Sequence, residues 1–115
     1  MSNLGDAPGA TKAQDLDRLI HEPARLVLVS NLSIVDEADF VFLARQTGLT
    51  AGNISSHMSR LNDAGYVTIA KTFIDKRPCT TYRLTEDGRA AFERYRAQVA
   101  NLIGGIGRHD AADSE

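Results

Sequence analysis

Two glycines divide the stretch of sequence that most limits how this chain can fold. Within residues 39–84, Gly48 and Gly65 are each expected to end a helix, because glycine readily adopts the left-handed conformation found there. Asp39 is a suitable N-cap for a helix, and apolar residues follow it at helical spacing: Phe40, Leu43 and Ala44. Gly48 fits the left-handed position that ends such a helix. The next segment follows at once, which predicts two helices joined by a tight turn.

The second helix and the residues after it complete this pattern. Thr50 can cap the helix, because its hydroxyl can accept the N–H of Gly52 or Asn53. The apolar residues of the helix form a narrow stripe: Ile54, Met58 and Leu61. Two β-rich runs, Tyr66–Ile74 and Cys79–Leu84, then flank Asp75-Lys-Arg-Pro78 and predict a hairpin with a charged tip. The sequence therefore predicts a winged helix-turn-helix, an α+β and mainly α fold with a two-stranded wing, which shapes one helix for the major groove of DNA.

The flanking segments define the expected limits of the domain. Residues 13–106 are predicted to fold, and residues 1–12 and 107–115 are predicted to be disordered tails. Upstream helices are expected over Gln14–His21 and Pro23–Leu32, followed by a connector that can contribute one short strand. A terminal helix is expected from Thr85 to Ile106, with early acids that suit its positive end.

The terminal helix carries an apolar stripe that predicts a homodimer. A small domain has little left to cover so long a stripe, although ordinary packing beneath the domain is the alternative. The expected dimer interface joins residues of the first and last helices: Leu16, Leu19, Ala91, Tyr95, Val99, Leu102 and Ile106. A small-molecule effector, if the protein has one, is expected between this helix pair and the DNA-binding part.

Composition and charge are those of a small soluble domain with a local basic surface. At 115 residues the chain is long enough for one domain, and the single Cys79 excludes an internal disulfide framework. The absence of a signal peptide and of a long apolar run predicts a cytoplasmic protein. The formal net charge is −2, yet residues 45–83 carry six cations against Asp63 and Asp75. Positive charge is thus concentrated on the predicted DNA-binding part.

Small polar residues cover the outward face of the helix Thr50–Ala64. Such residues let a helix approach base edges closely, and their hydroxyl and amide groups can hydrogen-bond there. The candidate base- and phosphate-contacting residues of this helix are Thr50, Gly52, Asn53, Ser55, Ser56, Ser59 and Arg60. In the wing they are Lys71, Lys76, Arg77 and Thr80. The alternative is an ordinary solvated face with capping residues.

At these positions the chain resembles the compact MarR/ArsR-like winged-helix regulators of bacteria and archaea. The resemblance covers roughly Leu16–Tyr95, and its most specific segments are Ala64-Gly-Tyr-Val67 and Leu84-Thr-Glu-Asp-Gly-Arg89. It implies a dimeric, sequence-specific DNA-binding protein, usually a repressor. It further implies that Thr50–Arg60 enters the major groove and that Lys71–Thr81 forms the wing.

Catalytic and metal-binding functions find no support in the sequence. It contains no Gly-rich phosphate loop, nucleophile elbow or paired-carboxylate arrangement, so we expect no catalytic residues and no cofactor. His21, His57 and His109 lack ligand spacing, so no metal site is expected. A redox role of Cys79 is an open alternative to a simple strand residue. A winged helix that serves as a protein-interaction module is the alternative to a DNA-binding regulator that acts on a pseudo-palindromic operator.

Overall fold

The chain forms a helix-turn-helix followed by a β hairpin and a long terminal helix. The structure is a computed structural model that describes the backbone of residues 11–113 and the side chains of residues 11–104. After a 3-10 turn at Ala13–Asp15, the elements are α1 (Pro23–Ser33), β1 (Ala38–Asp39), α2 (Phe40–Thr47), α3 (Ala51–Asp63), β2 (Val67–Ile74), β3 (Arg77–Leu84) and α4 (Glu86–Asp113). The strands form an antiparallel sheet in the order β1-β3-β2. The predicted winged helix-turn-helix is confirmed.

Local capping interactions define the helix-turn-helix. The Asp39 carboxylate accepts the N–H of Phe42 at 2.8 Å, and α2 ends at Gly48, whose φ is 72°. The Thr50 hydroxyl accepts the N–H of Asn53 at 3.2 Å and so caps α3, as the sequence predicts. The apolar stripe of α3 is completely buried: Ile54, Met58 and Leu61. Short-range hydrogen bonds therefore set both ends of the turn that orients α3.

The central helix α1 forms the middle of the hydrophobic core. Pro23 occupies its first turn, and the Glu22 carboxylate accepts the N–H of Arg25 at 2.8 Å. This hydrogen bond to the ionised carboxylate lowers the pKa of Glu22. The side chains that α1 buries are Leu28, Val29 and Leu32. None of the helices in the described part of the chain is long and apolar enough to cross a bilayer.

The short helix predicted over Gln14–His21 is absent. The segment contains only the 3-10 turn at Ala13–Asp15 and further turns. The physical reason is Asp17, whose carboxylate accepts the N–H of Leu19 at 2.9 Å and that of Ile20 at 3.3 Å. An Asp side chain that binds nearby backbone N–H groups competes with helical hydrogen bonds, and here the local turn is preferred.

This N-terminal segment nevertheless belongs to the folded domain. Ile20 is fully buried, and the Tyr66 hydroxyl donates to the Asp17 carboxylate at 2.6 Å. That hydrogen bond raises the pKa of Tyr66 to about 12. The His21 Nδ1 atom and the Tyr95 hydroxyl are hydrogen-bonded at 2.7 Å, and their rings lie 5.8 Å apart. The segment is thus attached both to the start of the hairpin and to α4.

Several residues of the predicted dimer interface are buried within the single chain. Leu16, Ala91 and Tyr95 already lie in the core of the single chain, so they do not form the exposed stripe on which the prediction rested. Three further predicted residues are half-buried against the same core: Leu19, Val99 and Leu102. The side chain of Ile106 lies outside the described residues. Contacts from outside α4 contribute to this burial: the segment before α1 meets α4 through His21 and Tyr95, and both α1 and β3 also contact α4.

The terminal helix is longer than the sequence predicts. It continues to Asp113, whereas a disordered tail was expected from residue 107. Alanines at 111 and 112 favour this continuation, although the glycines at 104, 105 and 107 oppose it. The tail expected over residues 1–12 lies mostly outside the described residues, which begin at residue 11.

The junction between the hairpin and α4 depends on close contacts around Gly88. The Thr85 hydroxyl accepts the N–H of Gly88 at 2.9 Å and donates to the Gly65 carbonyl at 2.6 Å. The Thr85 N–H donates to the carbonyl oxygen of Tyr66 at 3.0 Å. A Cβ atom at Gly88 would lie 2.1 Å from that same oxygen, which leaves no room for a side chain. The start of α4 is therefore held against the end of α3.

Arg89 holds α4 to the end of α1 and to the connector that follows it. Its guanidinium donates to the carbonyl oxygens of Ser33 and Val35, each at 3.1 Å. Carbonyls at the end of a helix lack intrahelical partners, so a charged donor there satisfies groups that would otherwise be unpaired. The Gly-Arg pair of this segment therefore has two roles: Gly88 allows α4 to approach Tyr66, and Arg89 binds carbonyls at the end of α1 and just after it.

The wing has a tighter tip than the sequence predicts. Ile74 pairs directly with Arg77, so only Asp75 and Lys76 form the turn. Both have positive φ, 53° and 67°, as a type I′ turn requires. Arg77 and Pro78, which were expected in the turn, therefore belong to β3. The type I′ turn is preferred because its twist matches that of the two strands, and Asp tolerates the left-handed conformation.

Candidate nucleic-acid interface

The outward face of α3 is the largest concentration of candidate DNA-contacting residues. All seven predicted positions at this helix are exposed: Thr50, Gly52, Asn53, Ser55, Ser56, Ser59 and Arg60. In the described part of the chain, the side chains of Ser55, Ser56, Ser59 and Arg60 take part in no hydrogen bond or salt bridge with other residues. Their polar atoms are therefore available to a partner.

A contact beneath α3 connects it to α1. The Arg25 Nη1 atom lies 3.2 Å from the His57 Nδ1 atom. Arginine can only donate, so this hydrogen bond requires Nδ1 of a neutral imidazole as the acceptor. The half-buried His57 thus holds α3 to α1. The pairing of Arg25 with His57 was not predicted, because 32 positions separate the two residues and no local sequence pattern relates them.

The wing presents unpaired cations. Lys71, Lys76 and Arg77 are exposed, and within the described residues none of them forms a salt bridge. Arg83 differs, because it is paired with Glu37 at 3.0 Å. The fourth predicted wing residue, Thr80, is half-buried and lies opposite Lys71 in the strand register. The three free cations provide the positive surface that a phosphate backbone requires.

A groove separates α3 from the wing and brings together residues of both. Its volume is about 510 Å³, and its lining includes four predicted site residues: Ser55, Ser59, Lys71 and Thr80. Cys79 also lines it as a half-buried free thiol. The remaining predicted residues of α3 and of the wing tip lie outside the groove. The described residues contain no group of three or more His, Cys, Asp or Glu that could hold a metal ion.

Large apolar side chains at the end of the wing were missed in the sequence. Phe73 is 72% exposed and Ile74 is 56% exposed, beside the cations of the turn. The β-rich composition of the run suggested ordinary strand residues with one covered face. The signal that could have identified them is distance along the strand, because they lie beyond the part of β2 that α3 can cover.

The comparisons with known proteins agree with this geometry. Residues 24–103 match the family model of a winged helix DNA-binding domain. The chain is 27% identical over 85 residues to the uncharacterized protein MJ0432 of Methanocaldococcus jannaschii, which covers 74% of this chain and 92% of that protein. It is similar to the transcriptional regulator homologue protein from Pyrococcus horikoshii OT3, with a TM-score of 0.74 and 28% identity over 78% of this chain and 89% of that one.

A more distant solved structure shares the fold. A protein from Bacillus cereus ATCC 10987 named as a MarR-like transcription regulator has a TM-score of 0.63 and 21% identity, over 82% of this chain and 70% of that one. The matched residues 24–103 run from the second residue of α1 into α4 and make up more than half of the 115-residue chain. The chain therefore belongs to the winged helix DNA-binding domain family.

Proposed function

We propose that the protein is a homodimeric repressor that binds a pseudo-palindromic DNA operator. The observation that carries the proposal is the exposed, unpaired and mostly small polar face of α3. Insertion of this helix into the major groove would bring Asn53, Ser56 and Arg60 to base edges or phosphates. The cations of the wing would then lie over the adjacent backbone or minor groove. Repression is the role that the resemblance to compact winged-helix regulators implies.

Selection of DNA fragments by the purified protein tests the proposal directly. Random duplexes retained by the protein are sequenced, and we expect one enriched motif with two-fold symmetry. Its half-sites should lie about one helical turn apart, roughly 34–36 Å. The competing function is a protein-interaction module, which the acidic net charge of −2 favours. No enrichment, together with no binding to random duplex at low salt, would favour that module instead.

Arg60→Ala should weaken operator binding by roughly 1–3 kcal/mol, because its guanidinium is the one cationic group on the outward face of α3. Since Arg60 is exposed, the Arg60→Ala variant should unfold at the same temperature as the wild type. The matched control is Arg94→Ala, which removes an exposed arginine from α4. Fluorescence anisotropy with a labelled operator measures both. Equal affinities of the two variants would show that α3 does not contact DNA through Arg60.

Replacing both Lys76 and Arg77 by alanine should reduce the salt dependence of binding. Each phosphate contact that is lost lowers the slope of log K against log salt by about 0.9, so a decrease of nearly two is expected. Sequence preference should change less than affinity, because phosphate contacts carry no direct sequence information. Arg94→Ala together with Arg96→Ala removes the same charge far from the wing and is the control. An unchanged slope in the wing variant would mean that the hairpin does not contact DNA.

The dimer is proposed to form through the outer part of α4. Ile103 is 68% exposed there, next to the half-buried Val99 and Leu102. This apolar surface is smaller than the sequence indicated, because the first half of the stripe lies in the core. A two-fold axis near this end would pack this surface of one chain against the same surface of the other, as a symmetric dimer requires.

The groove between α3 and the wing is the proposed binding site for a small-molecule effector. Its volume of about 510 Å³ falls in the usual range for ligand pockets, roughly 300–1,000 Å³. Apolar side chains line it in addition to the polar ones: Phe40, Val41 and Ile69. A ligand there would exclude DNA directly. The alternative location is the one expected from the sequence, between the pair of first and last helices and the DNA-binding part, where a ligand would change the spacing of the two copies of α3.

A further inference from the structure

The end of the wing combines exposed apolar side chains with unpaired cations. Phe73 is 72% exposed and Ile74 is 56% exposed, and the exposed Pro78 lies directly opposite Phe73 in the register. Lys76 and Arg77 adjoin them along the hairpin. Single exposed apolar residues are common on protein surfaces, but apolar side chains on both faces of a hairpin tip, bordered by cations, are the chemistry of a surface that meets both the phosphates and the bases of a nucleic acid.

The strand geometry places Phe73 on the side of the wing that faces the DNA-binding surface. Side chains alternate along β2, so Phe73 shares a face with Val67, Ile69 and Lys71. Val67 is buried in the core and Ile69 is half-buried against it, which identifies this as the face toward α3. Phe73 lies four residues beyond Ile69, roughly 13 Å farther along the strand. It therefore stands at the outer end of the wing, clear of the helix.

We propose that the end of the wing is an apolar wedge that enters the minor groove and partly unstacks a base step with Phe73. The inference rests on the proposed DNA binding and adds a mode of contact to it. Phenylalanine, isoleucine and proline are side chains that minor-groove proteins insert between base steps. Pyrimidine–purine steps such as TA unstack most easily, so the wedge selects a site that contains such a step beneath the wing.

The width of the hairpin requires that the minor groove open where the tip enters. The two-residue turn at Asp75 and Lys76 makes the tip narrow, but two paired strands already lie about 4.8 Å apart. A minor groove is only about 6 Å wide, so the ribbon with its side chains enters fully only where the groove widens. Unstacking a step widens the groove and bends the duplex toward the major groove, which α3 occupies.

Charge distinguishes DNA from a second copy of the wing as the occupant. Within the described residues Lys71, Lys76 and Arg77 form no salt bridge, and Asp75 is the one acidic residue of the hairpin 67–84. Two such tips in contact would bring like charges together as they buried Phe73, which opposes association. A polyanion gains from the same cations, because their approach releases its counterions.

The absence of tryptophan from the chain permits a direct test. Phe73→Trp introduces the one tryptophan of the protein, and its emission is quenched when the indole stacks on bases. Thr72→Trp is the matched control, since residue 72 is also exposed but points to the opposite face of β2. The probes are an alternating d(A-T) duplex, which offers a TA step at every second position, and a poly(dA)·poly(dT) duplex, which offers none. We expect Phe73→Trp to be quenched several-fold more than Thr72→Trp on the alternating duplex.

Phe73→Ala supplies the second readout. The ratio of affinities for the alternating and homopolymer duplexes should fall by about fivefold to tenfold, because only the wild type gains from easy unstacking. Salt-dependent binding with an unquenched Phe73→Trp and an unchanged ratio would overturn the wedge and leave the proposed function standing. Failure of the wild type to bind either duplex at low salt would overturn both. A change of sedimentation coefficient in Phe73→Ala would instead identify the tip as a contact between chains.

Discussion

Replacing Gly88 by alanine is expected to lower the free energy of unfolding by about 3 kcal/mol, the upper part of the range for overpacked sites. The new Cβ atom would lie 2.1 Å from the carbonyl oxygen of Tyr66 and 2.9 Å from its carbonyl carbon. These are backbone atoms, so no side-chain rotation relieves the clash. The carbonyl is also held by the N–H of Thr85, at 3.0 Å. Relief therefore requires α4 to move away from the hairpin, and urea denaturation measures the result.

Gly52→Ala is the matched control for this experiment. Gly52 lies within α3, and a Cβ atom there would meet nothing within 4 Å. Alanine should therefore stabilise the protein by roughly 0.5–1 kcal/mol through its better helix propensity. Opposite signs for the two glycines are expected. An unfolding midpoint for Gly88→Ala equal to that of the wild type would contradict the close contact between α4 and Tyr66.

Ile103→Asp is expected to abolish the dimer and, with it, strong operator binding. Burial of one isoleucine side chain contributes about 1.5–3 kcal/mol, and two-fold symmetry buries it twice. The substitution thus removes roughly 3–6 kcal/mol of association free energy, which is about 10² to 10⁴ in the dimer dissociation constant. Since one subunit contacts only a half-site, affinity for the full operator should fall with the dimer. Analytical ultracentrifugation and anisotropy titrations measure the two effects.

Ala97→Asp controls for the added charge, because residue 97 is also exposed on α4 but lies about a third of a turn around the helix from Ile103. It should leave the dimer intact. Ile103 is mostly exposed in the single chain, so the Ile103→Asp monomer should remain folded, although it lacks the stabilisation that dimerisation gives the wild type. A wild-type protein that sediments as a monomer at micromolar concentration would remove the proposed dimer and the palindromic operator together.

Local sequence features were sufficient to predict the helix-turn-helix. Asp39, Gly48 and Thr50 act through hydrogen bonds and backbone conformations within three or four residues of themselves. Such features do not depend on the rest of the fold, so the predicted caps of α2 and α3 agree with the structure. The seven exposed positions at α3 follow for the same reason, since burial of Ile54 and Met58 determines which side of the helix remains outside.

Contacts between distant residues were not predictable in this way. The hydrogen bonds between Arg25 and His57, and between His21 and Tyr95, join positions 32 and 74 residues apart. No periodicity indicates such pairs. The helix predicted over Gln14–His21 was also wrong. The Asp17 carboxylate accepts the backbone N–H groups of Leu19 and Ile20, and these hydrogen bonds compete with those of a helix. The turn of the wing differed by two residues because strand pairing, not composition, sets where a hairpin reverses.

The sequence by itself determined the order of the elements, the polar face of α3 and the basic character of the hairpin, because periodicity, capping and charge are properties of neighbouring residues. Only the tertiary structure decided which apolar side chains remain for a partner. Ala91 and Tyr95 were expected in an interface but are buried within the single chain, whereas Phe73 and Ile103 were not singled out in the sequence and remain largely exposed. Burial depends on what packs against a residue, and that is settled by the whole fold rather than by any local pattern.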